Sequence, residues 1–406
     1  MSPQTPDFDV LIVGAGMVGA ALGCALGIQG VRVALLEGRA PRRSWPAGEI
    51  DHRVSALSRA SQRILVRLGV WESMAGLGVS PYRAMEVWDA GGDGQIQFDS
   101  ADIGEPDLGH IVENRVTQLA LWQRLEGLDS VRLCCPVKPR GLVVEDRSVR
   151  LTLDSGEPLV GRLLVGADGR DSAIRQWAGI GTQGWDYDQQ ALVANVSHEL
   201  PHQETARQRF MTSGPLAFLP LADGHASSIV WSTSPAQAKQ LLEQDEAGFR
   251  ADLGRAFSYR LGAIRSVGAR GCFPLRLQHA ERYVQPRLAL VGDAAHAIHP
   301  LAGQGVNLGF LDAAVLTEVV LHALARGRDP GQLGALRRYE RARKGDNLAM
   351  LAAMDGFKRL FGSDFPPLRL LRNTGLMLAN ALPPVKHLFM GRALGLLGEL
   401  PELARP

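Results

Sequence analysis

The chain has 406 residues, 46% of them hydrophobic, enough to fill two domains or one domain with a large insertion. Its 44 Lys+Arg against 42 Asp+Glu leave a net charge of +2, so no global field recruits nucleic acid or another polyanion. The four cysteines, Cys24, Cys134, Cys135 and Cys272, form no Cys-x-x-Cys pair and no zinc spacing, which argues against a disulfide scaffold or a metal site and suits a reducing cytoplasm. The acidic start, Met1 to Asp9, does not read as a signal peptide, and no apolar run approaches the roughly 20 residues that span a bilayer. Membrane contact is therefore expected to be peripheral.

In chain order, Phe8 to Val13 reads as a compact apolar strand, followed by Gly14-Ala15-Gly16-Met17-Val18-Gly19 and an Ala/Leu-rich helix to Gln29. Val31 to Leu36 is the next strand and ends in Glu37, ahead of Gly38 and Arg39. Glycines for the turn, a helix N-terminus for phosphate and an acid for ribose hydroxyls make this a dinucleotide-binding unit. A loop rich in Arg, Pro and Gly leads to Arg53-Val54-Ser55-Ala56-Leu57 and a helix over Ala60 to Leu68. Met85 to Trp88 and Gln95 to Phe98 flank Ala90-Gly91-Gly92-Asp93-Gly94, a hairpin signal. Leu108-Gly109-His110-Ile111-Val112-Glu113-Asn114-Arg115 then precedes an amphipathic helix, Val116 to Leu125.

Three strands between Gly141 and Val165 run into Gly166-Ala167-Asp168-Gly169-Arg170, with Asp168 as a candidate helix cap and Arg175 beyond. From Gly179 the pattern alternates apolar and polar, as in an antiparallel sheet with one buried face. Pro235 to Phe257 is helical, Val267 to Phe273 is a strand, and the chain returns to its first domain at Tyr283. Leu288 to Asp312 holds a buried strand, Gly292-Asp293, a loop with Pro300, Gly303 and Gly305, and a helix starting near Val306. A strand-end carboxylate, bare backbone N–H groups and a helix dipole together suit an anionic flat ring with a hydroxylated chain. The later helix Leu336 to Met354 carries Arg337, Arg338, Arg341, Arg343 and Lys344, which read as a solvated basic face. Phe365 to Leu400 is leucine-rich, broken by Pro366-Pro367 and Pro383-Pro384, and either packs on the body or meets a membrane or partner.

Gly292-Asp293-Ala294-Ala295-His296 and His299-Pro300-Leu301-Ala302-Gly303-Gln304-Gly305-Val306-Asn307-Leu308-Gly309, with Asp312, form one signature. With it the chain resembles the ubiquinone-biosynthesis hydroxylases among the class A flavin monooxygenases, over nearly its whole length. Leu108 to Asn114, Ala217 to Leu221, Ser228 to Ser232 and Leu336 to Arg341 resemble the 2-polyprenylphenol 6-hydroxylases most. The resemblance implies an α/β fold: a Rossmann-like FAD-binding domain of the para-hydroxybenzoate hydroxylase type, an inserted antiparallel substrate sheet and a helical C-terminus. The expected division is 1–182 with 279–345, then 183–278 joined by the hairpin 83–99, then 346–406.

The resemblance further implies FAD as the resident cofactor and NAD(P)H as a transient donor, since only one glycine fingerprint is present. Dioxygen would react at the flavin and deliver one atom to the ring of a membrane-resident polyprenyl phenol. Pro300 and Leu301 would lie beside the flavin ring, with His299 the neighbouring catalytic candidate. Gly14, Gly16, Met17, Val18, Gly19, Glu37, Gly38, Arg39, Arg53, Val54, Ser55, Arg115, Asp168 and Gly169 would bind FAD, together with Gly292, Asp293, Pro300, Gly303, Gln304, Gly305, Val306 and Asn307. An apolar tunnel lined by Phe218 and Leu219 would take the substrate. A quinone-synthesis assembly and a homo-oligomer are compatible protein partners, and the inner-membrane surface a compatible location. Readings that compete are a sibling hydroxylase for another ring position, a flavin-dependent isoprenoid reductase and a non-catalytic FAD-binding subunit.

Overall fold

The computed structural model describes residues 6–46, 48–297, 305–363, 365–395 and 398–406. Phe8–Val13 lies between Val33–Leu36 and Pro158–Gly166, all three parallel. Val131–Cys134 continues the parallel sheet on one side and Leu288–Leu290 on the other. Because helices cover both faces, these strands are mostly apolar, interrupted by Asp9, Arg132 and Arg162, and Val10, Leu11 and Ile12 are fully buried. Val149–Leu153 and Pro139–Val144 join antiparallel at the side of Pro158–Gly166, which runs for 9 residues.

The helix Met17–Ile28 packs on both Asn114–Glu126 and Gly305–Ala325. Its crossing with the latter is tight: a Cβ at Gly309 would lie 2.5 Å from Val18 Cγ2. Gly305–Ala325 has 21 residues and, by length and composition, could cross a membrane, which corrects the expectation that no such run exists. It is a core helix here, with Phe310, Asp312, Leu316 and Val320 buried, because the parallel sheet and its neighbouring helices supply the apolar surroundings.

The second sheet has the order His296–Ala297, Gly271–Ala280, Thr182–His198, Ala226–Thr233, Gly214–Pro220, Thr205–Met211, Ala84–Asp89 and Gln95–Asp99, with Ile264–Val267 also paired to Thr182–His198. The hairpin does join this sheet, yet through a parallel pair, Ala84–Asp89 with Thr205–Met211, so the sheet is mixed. Pro235–Glu243 and Glu246–Ala256 are two helices, separated where Gln244 leaves helical geometry and Asp245 caps the second. They cover one face of the sheet over a core of Leu192, Leu216, Phe218, Ile229 and Trp231.

A small third sheet, Val54–Leu57, Gly109–Glu113 and Ser80–Tyr82, lies between the two large ones. A single helix, Leu333–Phe361, runs through residues 345 and 346. Pro366–Ala381 and Pro383–Ala393 follow, each opened by proline in its first turn, where a missing N–H costs nothing. The first is tied to the hairpin by a buried ion pair, Arg372 to Asp89 at 2.6 Å.

Candidate active site

The glycine loop is shaped by two close approaches. Gly14 has φ +100°, and a Cβ there would meet the Ala167 carbonyl oxygen at 2.4 Å; one at Gly19 would meet the Gly14 oxygen at 1.9 Å. Gly16 differs: it caps the helix Met17–Ile28 with no side-chain hydrogen bond, and no described residue lies within 4 Å of its missing Cβ. Met17 and Val18 therefore begin a helix whose first N–H groups face open space, the arrangement that receives a phosphate. Glu37 stays at the end of Val33–Leu36, where its carboxylate accepts from the Ala15 N–H at 2.8 Å and the Arg39 N–H at 3.1 Å. Gly38 lies beside it, against Lys138.

The small sheet brings the second group of candidates. Val54 and Ser55 pair with Glu113 and Val112, and the Ser55 hydroxyl donates to Asn114 Oδ1 at 2.7 Å. Arg53 is exposed, 5.4 Å over the Phe273 ring, and has no ion pair among the described residues. Arg115 is held differently: it pairs with Glu49 at 2.7 Å and Glu113 at 2.8 Å and stacks over Trp45 at 4.2 Å. Its charge is thus already matched by protein carboxylates.

The N-cap of the next helix, Ala173–Trp177, is Ser172, which accepts from the Arg175 N–H at 3.0 Å; Asp168, the expected cap, instead braces that turn, accepting from the Ser172 hydroxyl at 2.5 Å and the Ile174 N–H at 3.2 Å. Gly169, at φ +82°, has open space at its missing Cβ. Gly292, at φ +58°, turns the chain after Leu288–Leu290, and Asp293 is exposed with no ion pair among the described residues. His296–Ala297 then pairs with Gln278 and His279 of the second sheet. The signature segment therefore leaves the parallel sheet and enters the second sheet within a few residues. His299, Pro300, Leu301, Gly303 and Gln304 lie outside the described residues. Gly305 and Val306 start the long helix, and Asn307 is buried, donating to the Ala56 carbonyl at 2.8 Å and accepting from the Ser58 N–H at 2.9 Å and the Ser61 hydroxyl at 2.6 Å. Its side chain joins the helix to the small sheet.

Behind this loop is a buried ionic network. Asp312 accepts from the Gly292 N–H at 3.1 Å, His296 Nε2 at 2.5 Å, Arg343 Nε at 2.9 Å and Asn347 Nδ2 at 3.2 Å. Burial alone would raise this carboxyl; His296 and Arg343 outweigh it and hold it at about 2. Arg343 is 4% exposed, which corrects its assignment to a solvated face, while Arg337, Arg338 and Arg341 are exposed as expected. Asn347 also reaches Tyr283, whose hydroxyl meets His279 Nε2 at 3.0 Å. Burial, then the nearby His296 and Lys344, push His279 down to about 4.

A small cavity of about 290 Å³ lies between the small sheet and the second sheet, lined mostly by apolar residues, among them Ala56, Ile111, Tyr82, Met85, Ala217 and Leu219, and also by Arg207 and Gln208. Phe218 is not part of it. Alternation along Gly214–Pro220 turns Phe218 to the opposite face, stacked on Phe257 at 3.8 Å, which corrects its expected place in the tunnel.

Residues 7–351 match the FAD binding domain family. The chain is 42% identical over 388 residues to the 3-demethoxyubiquinol 3-hydroxylase of Escherichia coli (strain K12), covering 96% of this chain and 98% of that protein. It is 42% identical over 397 residues to the ubiquinone hydroxylase UbiL of Rhodospirillum rubrum, covering 98% and 92%. The chain belongs to the FAD-dependent hydroxylases of ubiquinone biosynthesis. The human mitochondrial ubiquinone biosynthesis monooxygenase COQ6 is 37% identical over 434 residues, covering 95% and 92%. Among solved structures, PqsL, a probable FAD-dependent monooxygenase of Pseudomonas aeruginosa, superposes with TM-score 0.77 at 22% identity over 91% of this chain and 99% of its own. The p-nitrophenol 4-monooxygenase PnpA of Pseudomonas putida DLL-E4 does so with TM-score 0.78 at 19% identity over 96% and 99%. These two likenesses show the fold of this hydroxylase.

Several residues that shape the hydroxylase site were not singled out from sequence. Trp122 Nε1 donates to the Ala15 carbonyl at 3.0 Å and Gln118 Nε2 to the same oxygen at 3.3 Å, which holds the glycine loop from the helix behind it. A tryptophan on the buried stripe of an amphipathic helix needs an acceptor, and that is the signal. Leu336, Tyr339, Arg343, Asn347 and Leu351 recur at helical spacing, so Arg343 and Asn347 share a stripe with buried apolar residues.

Proposed function

We propose that this hydroxylase inserts one atom of dioxygen into the ring of a polyprenylated phenol during ubiquinone synthesis. The observation that carries the reading is the segment from Leu288 to Ala297, which begins in the nucleotide sheet and ends in the sheet that walls the apolar cavity. The helix that follows is tied to the cavity wall, since Asn307 donates to the carbonyl of Ala56, a lining residue, and a flavin held at this junction would border that wall.

Among the described residues, the open first turn at Gly16, the space beside Gly169, and Asp293 and Arg53 without an ion pair fit FAD. Gly14, Gly16, Met17, Val18 and Gly19 would hold its pyrophosphate, and Glu37, with Gly38 and Arg39, its adenosine ribose. Asp293 would accept from the ribityl hydroxyls, with Arg53, Val54, Ser55, Asp168, Gly169 and Gly292 around the dinucleotide. His299, Pro300, Leu301, Gly303, Gln304 and Gly305 are assigned to the ring by motif. Arg115 would act indirectly, by ordering the loop that carries Glu49. When bound, FAD supplies the redox chemistry, taking electrons from NAD(P)H and activating dioxygen. The protein's share is to orient the phenol and exclude water, which Ala56, Ile111, Ala217 and Leu219 do by lining the cavity with hydrocarbon.

The ring position has two readings. The relative named for position 3 of a demethoxyubiquinol favours that position; the resemblance to 2-polyprenylphenol 6-hydroxylases favours position 6. Incubating holoenzyme with NADPH, labelled dioxygen and short-chain versions of both rings tests them together. One labelled oxygen at a ring carbon is expected. NADPH oxidation without oxygen in any product, with either ring, would sink the proposal and bring the reductase reading forward.

A further inference from the structure

The helix Pro366–Ala381 has two faces of different character. Its inner face is fixed to the hairpin: Arg372 pairs with Asp89, Asn373 Oδ1 accepts from the Gly94 N–H at 2.8 Å, and Asn380 Oδ1 accepts from the Gln97 N–H at 3.1 Å. Its outer face carries Leu370, Met377 and Leu378, which are 70%, 56% and 55% exposed, with Phe365 and Leu382 at its ends 59% and 49% exposed. Leu370, Met377 and Leu378 stand at the spacing of one helical stripe, with the small Thr374 and Ala381 between and beyond them. A solvated helix face does not otherwise collect its largest apolar side chains.

We infer that this ridge is a docking surface for an anionic lipid bilayer. From Phe365 to Leu394 the sequence contains Arg369, Arg372, Lys386 and Arg392 and no acidic residue. Arg372 and Lys386 are matched internally, by Asp89 and Asp102. Arg369 and Arg392 are exposed and have no ion pair among the described residues. An apolar helix face flanked by uncompensated cations binds at the headgroup boundary, by burial of the apolar side chains and attraction to anionic lipid. A second copy fits less well, since a two-fold contact through this face would oppose like charges.

The interior supports the same occupant. Met390 and Leu394, at the end of Pro383–Ala393, pack with Leu108, Tyr82 and Met85. Tyr82 and Met85 also line the cavity below the small sheet. Apolar side chains thus run without interruption from the C-terminal helices to the site where the ring is proposed to react. The docking surface accords with a membrane-borne substrate, and its test reads lipid binding without turnover.

The experiment is flotation of the FAD-loaded, full-length protein with vesicles of phosphatidylethanolamine and phosphatidylglycerol, against vesicles of phosphatidylcholine alone. Wild type should float with the anionic vesicles and less at high salt. Leu370→Gln/Met377→Gln/Leu378→Gln should lower the bound fraction about tenfold or more, because three exposed apolar contacts are lost without touching the core. Val143→Gln/Val144→Gln, exposed on a distant strand, should float as wild type does. Flotation of the triple variant at the wild-type level, or no flotation of the wild type, overturns the inference. So does a wild-type dimer in sedimentation equilibrium that the triple variant abolishes, which would make a second copy the occupant.

Discussion

Asp312 accepts hydrogen bonds from four donors in the interior, two of them on Arg343 and His296, and is fully buried. Removing one member of such a group is far more costly than removing the charges together, because the remaining ion stays buried without compensation. Asp312→Ala should destabilise the protein by about 3–5 kcal/mol, whereas Asp312→Leu/Arg343→Met should cost clearly less. Urea unfolding of the apoproteins measures both. Equal losses in the single and double variants would mean that the network contributes by packing and not by charge. The network also orients the Gly292 N–H, so its loss reaches the turn that presents Asp293.

At the scale of elements, the glycine loop and its helix separate two kinds of glycine. Gly14 makes room for the Ala167 backbone, so Gly14→Ala must disturb the junction of two parallel strands and lower stability even without cofactor. Among the described residues, Gly16 makes room for nothing within 4 Å. Gly16→Ala should therefore leave the apoprotein melting temperature close to wild type and weaken FAD retention at least about tenfold, as expected where a methyl group displaces a phosphate from backbone N–H groups. Absorbance of bound flavin after gel filtration, beside thermal melts of the apoproteins, checks the pair. Retention of FAD at the wild-type level by Gly16→Ala would remove the pyrophosphate from that turn.

For the whole molecule, acid should act in two separate windows. His279 and His198 both titrate near 4 in the folded chain, mainly through burial, against about 6.5 when unfolded. The unfolded chain takes up these protons first, so stability falls as pH drops from about 6.5 to about 4. Asp312 acts lower: its carboxyl titrates at about 2 folded and about 3.9 unfolded, so its contribution is intact above about 4 and lost as pH falls to about 2. Urea midpoints of the apoprotein through the first window should decline, and His198→Asn/His279→Asn should flatten that decline. A flat wild-type profile between about 6.5 and 4 would contradict the buried neutral state of both imidazoles.

The motifs were legible because they are local. Gly14 to Gly19 lies between a strand and a helix whose periods are written in adjacent residues, and Gly292-Asp293 follows an apolar run that could only be a buried strand. The parallel nucleotide sheet and the hairpin near residue 90 were readable for the same reason. What sequence could not supply were relations between distant segments. Whether Phe218 or Leu219 meets the cavity depends on which sheet face the helices Pro235–Glu243 and Glu246–Ala256 cover, and alternation by itself does not say. Arg343 reads as a surface cation until Asp312 and His296, from a different helix and a short strand, are placed beside it. The 21-residue apolar helix Gly305–Ala325 is a core element only because the tertiary structure surrounds it. Local periodicity and motif chemistry thus determined which segments exist and which cofactor they suit; the pairing of buried charges, the face of each strand and the exposed ridge of the C-terminal helices were decided by packing across the chain, where burial outweighs local preference.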